Sequence, residues 1–166
     1  MALDLNKSCC WSKTSQSIMK HLLLSLVLLA FLRPARAAED GSIWHTSLPA
    51  AQATAKEGSK MVLLDFTGSD WCGWCKVLKK EVFQTPEFLD YAKKNLVLVE
   101  VDFPQRKKQS AELKKANEEL QERFKVRYYP TIILLNSAGK VLGELGYQEG
   151  GAKPFIAELE KLRRKG

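Results

Sequence analysis

Two short segments of the chain are apolar on both alternating faces, which is typical of strands buried at the centre of a sheet. They are residues 61–66 and Leu96–Asp102. Two further apolar segments, Thr131–Leu135 and Val141–Leu145, flank the turn-forming residues 136–140. This arrangement predicts an antiparallel hairpin near the end of the chain.

Apolar residues at helical spacing occupy the stretches between these strands. The predicted helices cover residues 49–56, about 72–82, a segment that starts at Thr85-Pro86, a segment capped by Ser110, and about 153–162. In the segment capped by Ser110, the apolar positions are Leu113, Ala116, Leu120 and Phe124. The resulting order, α-β-α-α-β-α-β-β-α, predicts an α/β protein with a mixed central sheet flanked by helices on both faces.

The first 37 residues have the pattern of a secretory signal peptide. Residues 22–32 form an eleven-residue apolar run that is preceded by a basic residue. Residues 35–37 follow it with the small-x-small pattern of a signal-peptide cleavage site. Such a run is too short to cross a bilayer, which takes about 20 residues as a helix. We therefore predict cleavage after Ala37, export to the periplasm or the cell exterior, and a single domain over residues 38–166 with no stable membrane insertion. Met19 is a second candidate start, and retention as an amino-terminal anchor is the alternative.

Composition and charge narrow the range of partners. The chain has 166 residues, 45% of them hydrophobic, which suits one domain with its own core. More than half of the formal charge of +7 lies in the first 37 residues, and the remainder has 21 basic and 18 acidic residues. We expect no nucleic-acid partner, because the chain has no basic stripe interleaved with aromatic residues. The basic segment Arg106-Lys107-Lys108 has two interpretations, a docking site for a partner and a solvated surface.

Loss of the signal peptide would remove Cys9 and Cys10 and leave Cys72 and Cys75. Their three-residue spacing at the start of a helix puts both sulfur atoms on one face, where they can close a disulfide across one turn. Unpaired N–H groups and the helix dipole stabilise a thiolate at that point. We predict exchange with disulfides or thiols of protein substrates, in which Cys72 attacks, Cys75 resolves the mixed disulfide, and a redox partner recharges the pair.

Metal and haem sites explain this cysteine pair less well. A zinc site takes about four ligands, whereas His45 is the remaining histidine of residues 38–166. A c-type haem site needs a histidine where the chain has Lys76. We expect no bound cofactor and no metal for the exchange reaction. A carrier of Cu(I), held by the two thiolates, is the alternative function.

Three motifs together resemble the thioredoxin superfamily. They are Asp65-Phe66, the sequence Trp71-Cys72-Gly73-Trp74-Cys75-Lys76, and Tyr129-Pro130-Thr131 before the hairpin. The similarity covers roughly residues 43–163, and within the superfamily the chain most resembles exported bacterial thioredoxin-like proteins with a C-G-W-C active site. This resemblance implies the thioredoxin fold and a thiol–disulfide oxidoreductase, of the reductase or isomerase type, in an extracytoplasmic compartment.

The resemblance also implies roles for individual residues. Cys72 and Cys75 occupy the nucleophilic and resolving positions, and Pro130 occupies the position of the cis-proline beside the active site. Asp65 occupies the position of a buried aspartate that assists proton transfer at the resolving cysteine, and a solvated aspartate at a strand end is the alternative. We expect substrate contacts at Trp71, Gly73, Trp74, Tyr129 and Pro130.

Two residues depart from the family pattern. Glu100 lies on the second central strand, where a lysine would partner the aspartate, and Trp74 replaces the proline of C-G-P-C. Because the residues between the cysteines tune the redox potential, the direction of the reaction stays open. Tyr128 is expected to join Trp71, Trp74 and Tyr129 in an apolar rim around the sulfurs, with packing in the core as the alternative, and Tyr147 is assigned to packing.

Overall fold

The structure is a computed structural model, and it describes residues 43–165. One mixed sheet runs through this part of the chain. Its strands are β1 (Trp44–His45), β2 (Met61–Thr67), β3 (Leu96–Asp102), β4 (Thr131–Leu135) and β5 (Val141–Leu145). They lie side by side in the order β1-β3-β2-β4-β5. The first three strands are parallel, and β4 and β5 form the predicted antiparallel hairpin.

Helices cover both faces of the sheet. They are α1 (Leu48–Glu57), α2 (Gly73–Leu78), a π-helical segment (Lys79–Phe83), α3 (Pro86–Asn95), α4 (Ala111–Phe124) and α5 (Ala152–Lys165). The hydroxyls of Thr85 and Ser110 cap α3 and α4, as the sequence predicts, and Ser47 caps α1 in the same way. Each hydroxyl accepts a backbone N–H three residues further on, which satisfies one of the free donors of the first turn.

The centre of the sheet is β2, and all seven of its residues are buried. Its side chains alternate between two apolar clusters, because successive residues of a strand point to opposite faces. Met61 and Leu63 belong to the cluster beneath α3, α5 and the π-helical segment. Val62 and Leu64 belong to the cluster beneath α1 and α4. The predicted α/β fold, with helices on both faces of a mixed sheet, is therefore confirmed.

Two elements of the backbone differ from the sequence prediction. The residues before α1 form a two-residue strand that pairs with β3, with Trp44 opposite Leu98. The helix predicted over residues 72–82 changes to π-helical geometry after Leu78, and the N–H of Gln84 donates to the carbonyl of Lys79 at 2.9 Å. Apolar periodicity detects neither feature, because a strand of two residues has no period and a π turn adds one residue to an otherwise continuous helix.

The apolar face predicted for α4 was wrong at one position. Ala116 is exposed, whereas the adjacent Asn117 is buried. The side-chain amide of Asn117 donates to the backbone carbonyl of Asp102 at 2.9 Å, so α4 is attached to the end of β3 by a polar contact. Leu113 is partly buried, and Leu120 and Phe124 pack against the second cluster, as expected.

The predicted signal peptide at residues 1–37 lies outside the described residues. Within residues 43–165, none of the helices is both long enough and apolar enough to span a bilayer.

Candidate active site

The cysteine pair lies where β2 ends and α2 begins. Cys72 is the residue that caps α2, and Cys75 lies in the first turn of the helix. Their sulfur atoms are joined in a disulfide, with the Cα atoms 5.3 Å apart. The N–H of Cys75 points at the sulfur of Cys72, at 3.2 Å. The structure therefore represents the oxidised form of the pair, and both cysteines are buried.

Trp71 is held in place directly before the disulfide. A Cβ atom on Gly68 would lie 2.4 Å from Cε2 of the indole, so the ring packs against backbone that only glycine leaves free. The indole N–H donates to the carbonyl of Phe103 at 2.8 Å. The ring also meets Tyr129 edge to face, with 5.8 Å between the centroids. These contacts leave Trp71 38% exposed beside Cys72.

An aromatic groove opens on the other side of the cysteine turn. Its volume is about 330 Å³, and it is lined by Trp74, Tyr128, Tyr129, Pro130, Gly146 and Tyr147. The peptide bond between Tyr129 and Pro130 is cis. Trp74 is 60% exposed and lies against the ring of Tyr147, with 5.0 Å between centroids and 30° between planes. The groove brings together Trp74, Tyr129 and Pro130, three of the predicted substrate contacts.

The assignment of Tyr147 to packing was incomplete. Its ring packs against the first apolar cluster and also forms a wall of the groove. Its hydroxyl donates to Glu81 of the π-helical segment at 2.8 Å, which sets the orientation of the ring under Trp74. The Gly146-Tyr147 pair that follows the hairpin was visible in the sequence, but its distance from Trp74 was not.

The first turn of α2 presents open surface. Gly73 is exposed, and a Cβ atom built on it would meet no atom within 4 Å. Packing within the described residues therefore does not require glycine here. The absence of a side chain leaves room for another chain to approach the disulfide.

Asp65 lies beneath the cysteine helix. It is on the same face of β2 as Met61 and Leu63, the face covered by the π-helical segment that continues α2. It is only 7% exposed, and its Oδ1 has no hydrogen-bond partner within the described residues. Burial raises the pKa of its carboxyl to about 8, and the negative charge of Glu100 contributes to the rise. Asp65 is thus buried, in contrast to the alternative of a solvated aspartate at a strand end.

A lysine that sequence reasoning missed faces this pair of carboxylates. Glu100 lies directly opposite Asp65 in the register between β2 and β3. Lys79, the first residue of the π-helical segment, places its Nζ 3.4 Å from Oε1 of Glu100. The charge of Lys79 lowers the pKa of Asp65, against the larger effects of burial and Glu100, while Asp102 raises it. The cation expected on the strand is therefore supplied by the helix above it.

Metal ligands are sparse around the disulfide. Within residues 43–165, no group of three or more His, Cys, Asp or Glu side chains is arranged to hold a metal ion. The two sulfurs could act as metal ligands only after reduction, since each is bonded to the other here.

Comparison with known proteins agrees with this geometry. Residues 48–163 match the family model described as a thioredoxin-like domain. The chain is 37% identical to the disulfide bond reductase DsbH of Chlamydia pneumoniae over 112 residues, which are 66% of this chain and 68% of that protein. It is 30% identical to the thioredoxin-related protein DsbJ of Chlamydia pneumoniae over 155 residues, covering 89% of this chain and 44% of DsbJ. The solved structure of a DsbH oxidoreductase is similar with a TM-score of 0.69 and 34% identity, covering 80% of this chain and 90% of the other.

Family, fold and chemistry now point to one conclusion. The family match covers most of the described chain, and the disulfide lies at the junction of a central strand and a helix. The predicted membership of the thioredoxin superfamily is confirmed. The chain belongs to the thioredoxin-like family, and it is a thiol–disulfide oxidoreductase with a Cys-x-x-Cys pair.

Proposed function

We propose that this protein is an exported reductase of protein disulfides. The observation that carries the proposal is the disulfide between Cys72 and Cys75 at the start of α2, since this is where a thiolate is stabilised and can reach a partner. Similarity to the disulfide bond reductase DsbH favours reduction over oxidation. The apolar run at residues 22–32 favours export.

In the first step, the thiolate of Cys72 attacks one sulfur of the substrate disulfide. A new S–S bond forms between Cys72 and the substrate, and the second substrate sulfur leaves as a thiolate that takes up a proton. The N–H of Cys75, which lies 3.2 Å from this sulfur in the oxidised form, supports negative charge on Cys72.

In the second step, Cys75 resolves the mixed disulfide. Its thiol gives a proton to the carboxylate of Asp65, and the resulting thiolate attacks the sulfur of Cys72. The substrate leaves as a dithiol after accepting two electrons, and the enzyme is left as the disulfide. Asp65 suits this role because its pKa of about 8 lets it accept and release a proton near neutral pH. A dithiol partner protein then reduces the enzyme by the same two steps in reverse.

Substrate contacts are proposed along the exposed aromatic surface. An extended segment would lie in the groove beside Pro130, between Tyr129 and Trp74, with Trp71 beside the attacked sulfur. The open surface at Gly73 would admit the backbone of the substrate. Apolar surface of this kind grips unfolded or extended chains through burial rather than through sequence-specific bonds.

Reduction of insulin by dithiothreitol tests the activity. We expect protein lacking residues 1–37 to accelerate the reaction and the Cys72→Ser variant to have no effect. The Cys75→Ser variant should accumulate a mixed disulfide with insulin, because nothing resolves it. Equal activity of the Cys72→Ser variant would contradict the proposed roles.

The equilibrium potential of the pair tests the direction. Measured against glutathione, a value of about −270 mV is expected for a reductase, whereas one of about −120 mV would indicate an oxidant.

Amino-terminal sequencing of the secreted protein tests export, and we expect the sequence to begin near Ala38. Retention of the full chain in the cytoplasm would contradict that part of the proposal.

A further inference from the structure

A basic loop lies beside the active-site turn. It consists of residues 105–108, all of them exposed, and it includes Arg106, Lys107 and Lys108. The carboxylate of Asp70 holds it, accepting backbone N–H groups from Gln105, Arg106 and Lys107 at 3.0, 2.7 and 2.9 Å. The basic loop is therefore fastened by three consecutive amides to a residue two positions before Cys72.

The neighbours of Asp70 strengthen the same attachment. Ser69 donates its N–H and its hydroxyl to the carboxylate of Asp102, at 2.8 and 2.6 Å. Trp71 donates its indole N–H to the carbonyl of Phe103. Thus each of the three residues before Cys72 bonds to the segment that carries the basic loop. A basic segment that served only solubility would not need to be bonded to the active-site turn.

The basic loop forms no direct ion pair, since none of the ion pairs of the described residues involves Arg106, Lys107 or Lys108. Lys107 donates its ammonium group to the hydroxyl of Ser69 at 3.1 Å, and that hydroxyl is bonded to Asp102. Arg106 and Lys108 are therefore the two cations of the loop whose side chains have no polar partner among the described residues. Asp70 is adjacent, but its carboxylate is turned toward the backbone N–H groups, and these bonds lower its pKa to about 2. The ammonium group of Lys76 lies on the same side, 2.9 Å from the carbonyl of Asp70.

Two tyrosines that line the aromatic groove are bonded to carboxylates. Tyr147 donates to Glu81, and Tyr128 donates to Glu144. The basic loop is fastened to the residues directly before Cys72, whereas these carboxylates lie beside residues of the groove. A chain bound near Cys72 would therefore meet positive charge at the loop and negative charge near the groove. Uniform apolar binding cannot discriminate between substrates by charge, whereas this arrangement can.

We propose that the basic loop recognises acidic residues next to the disulfide of a protein partner. This inference rests on the proposed function, and it adds a substrate preference to it. Charges on a solvated surface act over about 8 Å at physiological ionic strength, so the loop can influence only a segment that is already near Cys72. A protein segment is favoured over a membrane surface, because the loop is fastened to the turn that carries Cys72, and Cys72 reacts with another protein.

Two disulfide peptides that differ only in glutamate or glutamine beside the cysteines test the proposal. We expect the enzyme to reduce the glutamate peptide with a kcat/KM about 3–10-fold higher than the glutamine peptide at low ionic strength. The double variant R106Q/K108Q should lose this preference and reduce the glutamine peptide at an unchanged rate. The attachment of the loop to Asp70 should persist in this variant, since only the backbone N–H of Arg106 takes part in it. The matched control is K114Q/K115Q, which removes two exposed lysines from α4 and should keep the preference.

A second variant separates placement from total charge. Asp70→Ala makes the protein more positive but frees the basic loop, so we expect the preference for the glutamate peptide to fall. A rise in preference would mean that bulk charge alone is responsible and would overturn the proposal. Equal preference in R106Q/K108Q and K114Q/K115Q would also overturn it.

Two further outcomes are distinguishable from these. Inactivity of the unmodified protein toward both peptides would refute the proposed function itself. Binding to phosphatidylglycerol vesicles that R106Q/K108Q abolishes, with no change in peptide preference, would assign the loop to membranes and overturn the protein-partner proposal.

Discussion

Asp65 is an ionisable side chain at a position that suits an apolar one. Burial between the sheet and the cysteine helix raises its pKa to about 8, whereas an aspartate in an unfolded chain has a pKa of about 3.9. Between these values the unfolded chain releases a proton that the folded protein retains. Asp65 therefore contributes stability that is fully present below about pH 4 and is lost as the pH rises toward 8.

The Asp65→Asn variant should be more stable than the parent at neutral pH. In the oxidised protein at pH 7 we expect a gain of about 2 kcal/mol. Each pH unit above the unfolded pKa of Asp65 costs the parent about 1.4 kcal/mol of stability, and the variant avoids this loss. The unmet hydrogen bonds of the buried amide offset part of the gain. At pH 4 the pH-dependent gain is absent and only the unmet hydrogen bonds remain, so the variant should be no more stable than the parent. Urea unfolding at the two pH values measures it.

The exposed Asp90 of α3 provides the matched control. Asp90→Asn removes the same charge from the surface, so its effect on the free energy of unfolding should be small and the same at both pH values. A gain for Asp65→Asn that is equal at pH 4 and pH 7 would contradict the account of its burial.

At the scale of elements, the π-helical segment decides which charges meet beneath the disulfide. It continues α2 without a break and begins with Lys79, whose ammonium group reaches Glu100 on β3. Glu100 is opposite Asp65 in the strand register. Three ionisable side chains from three elements thus lie at one edge of the core, and Lys79 and Glu100 both affect the ionisation of Asp65.

Removing the two charges should shift the titration of Asp65 in opposite directions. Lys79→Gln should raise the pKa of Asp65, because the nearby positive charge that favours its ionised form is lost. Glu100→Gln should lower that pKa, because a like charge is removed. Carboxyl carbon NMR of the reduced and oxidised proteins measures both shifts directly, without reliance on activity.

Lys80→Gln is the control for this pair, since Lys80 is the next residue of the same segment and is exposed. It should leave the titration of Asp65 nearly unchanged. Shifts of the same sign in Lys79→Gln and Glu100→Gln would show that altered burial, and not charge, determines the ionisation of Asp65.

At the scale of the whole molecule, the layer behind the active site depends on a group of aromatic rings. Phe155 of α5 is fully buried, and its ring lies 5.7 Å from Phe83 of the π-helical segment and 6.2 Å from Phe88 of α3. These contacts join the last helix of the chain to the elements that follow the cysteines. The carboxyl-terminal helix therefore supports the active site from a distance.

The Phe155→Ala variant should lose about 3–5 kcal/mol of stability, the cost of emptying a buried aromatic site. Chemical denaturation measures the loss. As the control, Val141→Ala on β5 changes a side chain that is 46% exposed, and we expect a loss within about 1 kcal/mol. Equal losses in the two variants would contradict the assignment of Phe155 to the core.

Much of the fold was predictable because its elements have clear periodicity. The runs that form β2 and β3 are apolar on both faces, and the segment from Thr131 to Leu145 has the turn residues of a hairpin. The missed features are β1, the π-helical geometry and the buried Asn117. Two of them depend on a neighbour in space: β1 exists through pairing with β3, and the buried Asn117 bonds to Asp102. The π turn adds one residue to a continuous helix, which apolar spacing does not detect.

The sequence by itself determined the order of elements, the two cysteines one helical turn apart, and hence the kind of chemistry. These follow from local spacing, which the chain carries wherever it folds. Only the tertiary structure decided that Lys79 faces Glu100, that Tyr147 lies under Trp74, and that Asp70 fastens the basic loop to the active-site turn. These contacts join residues distant in the chain, and their distances are set by how helices and loops pack on the sheet.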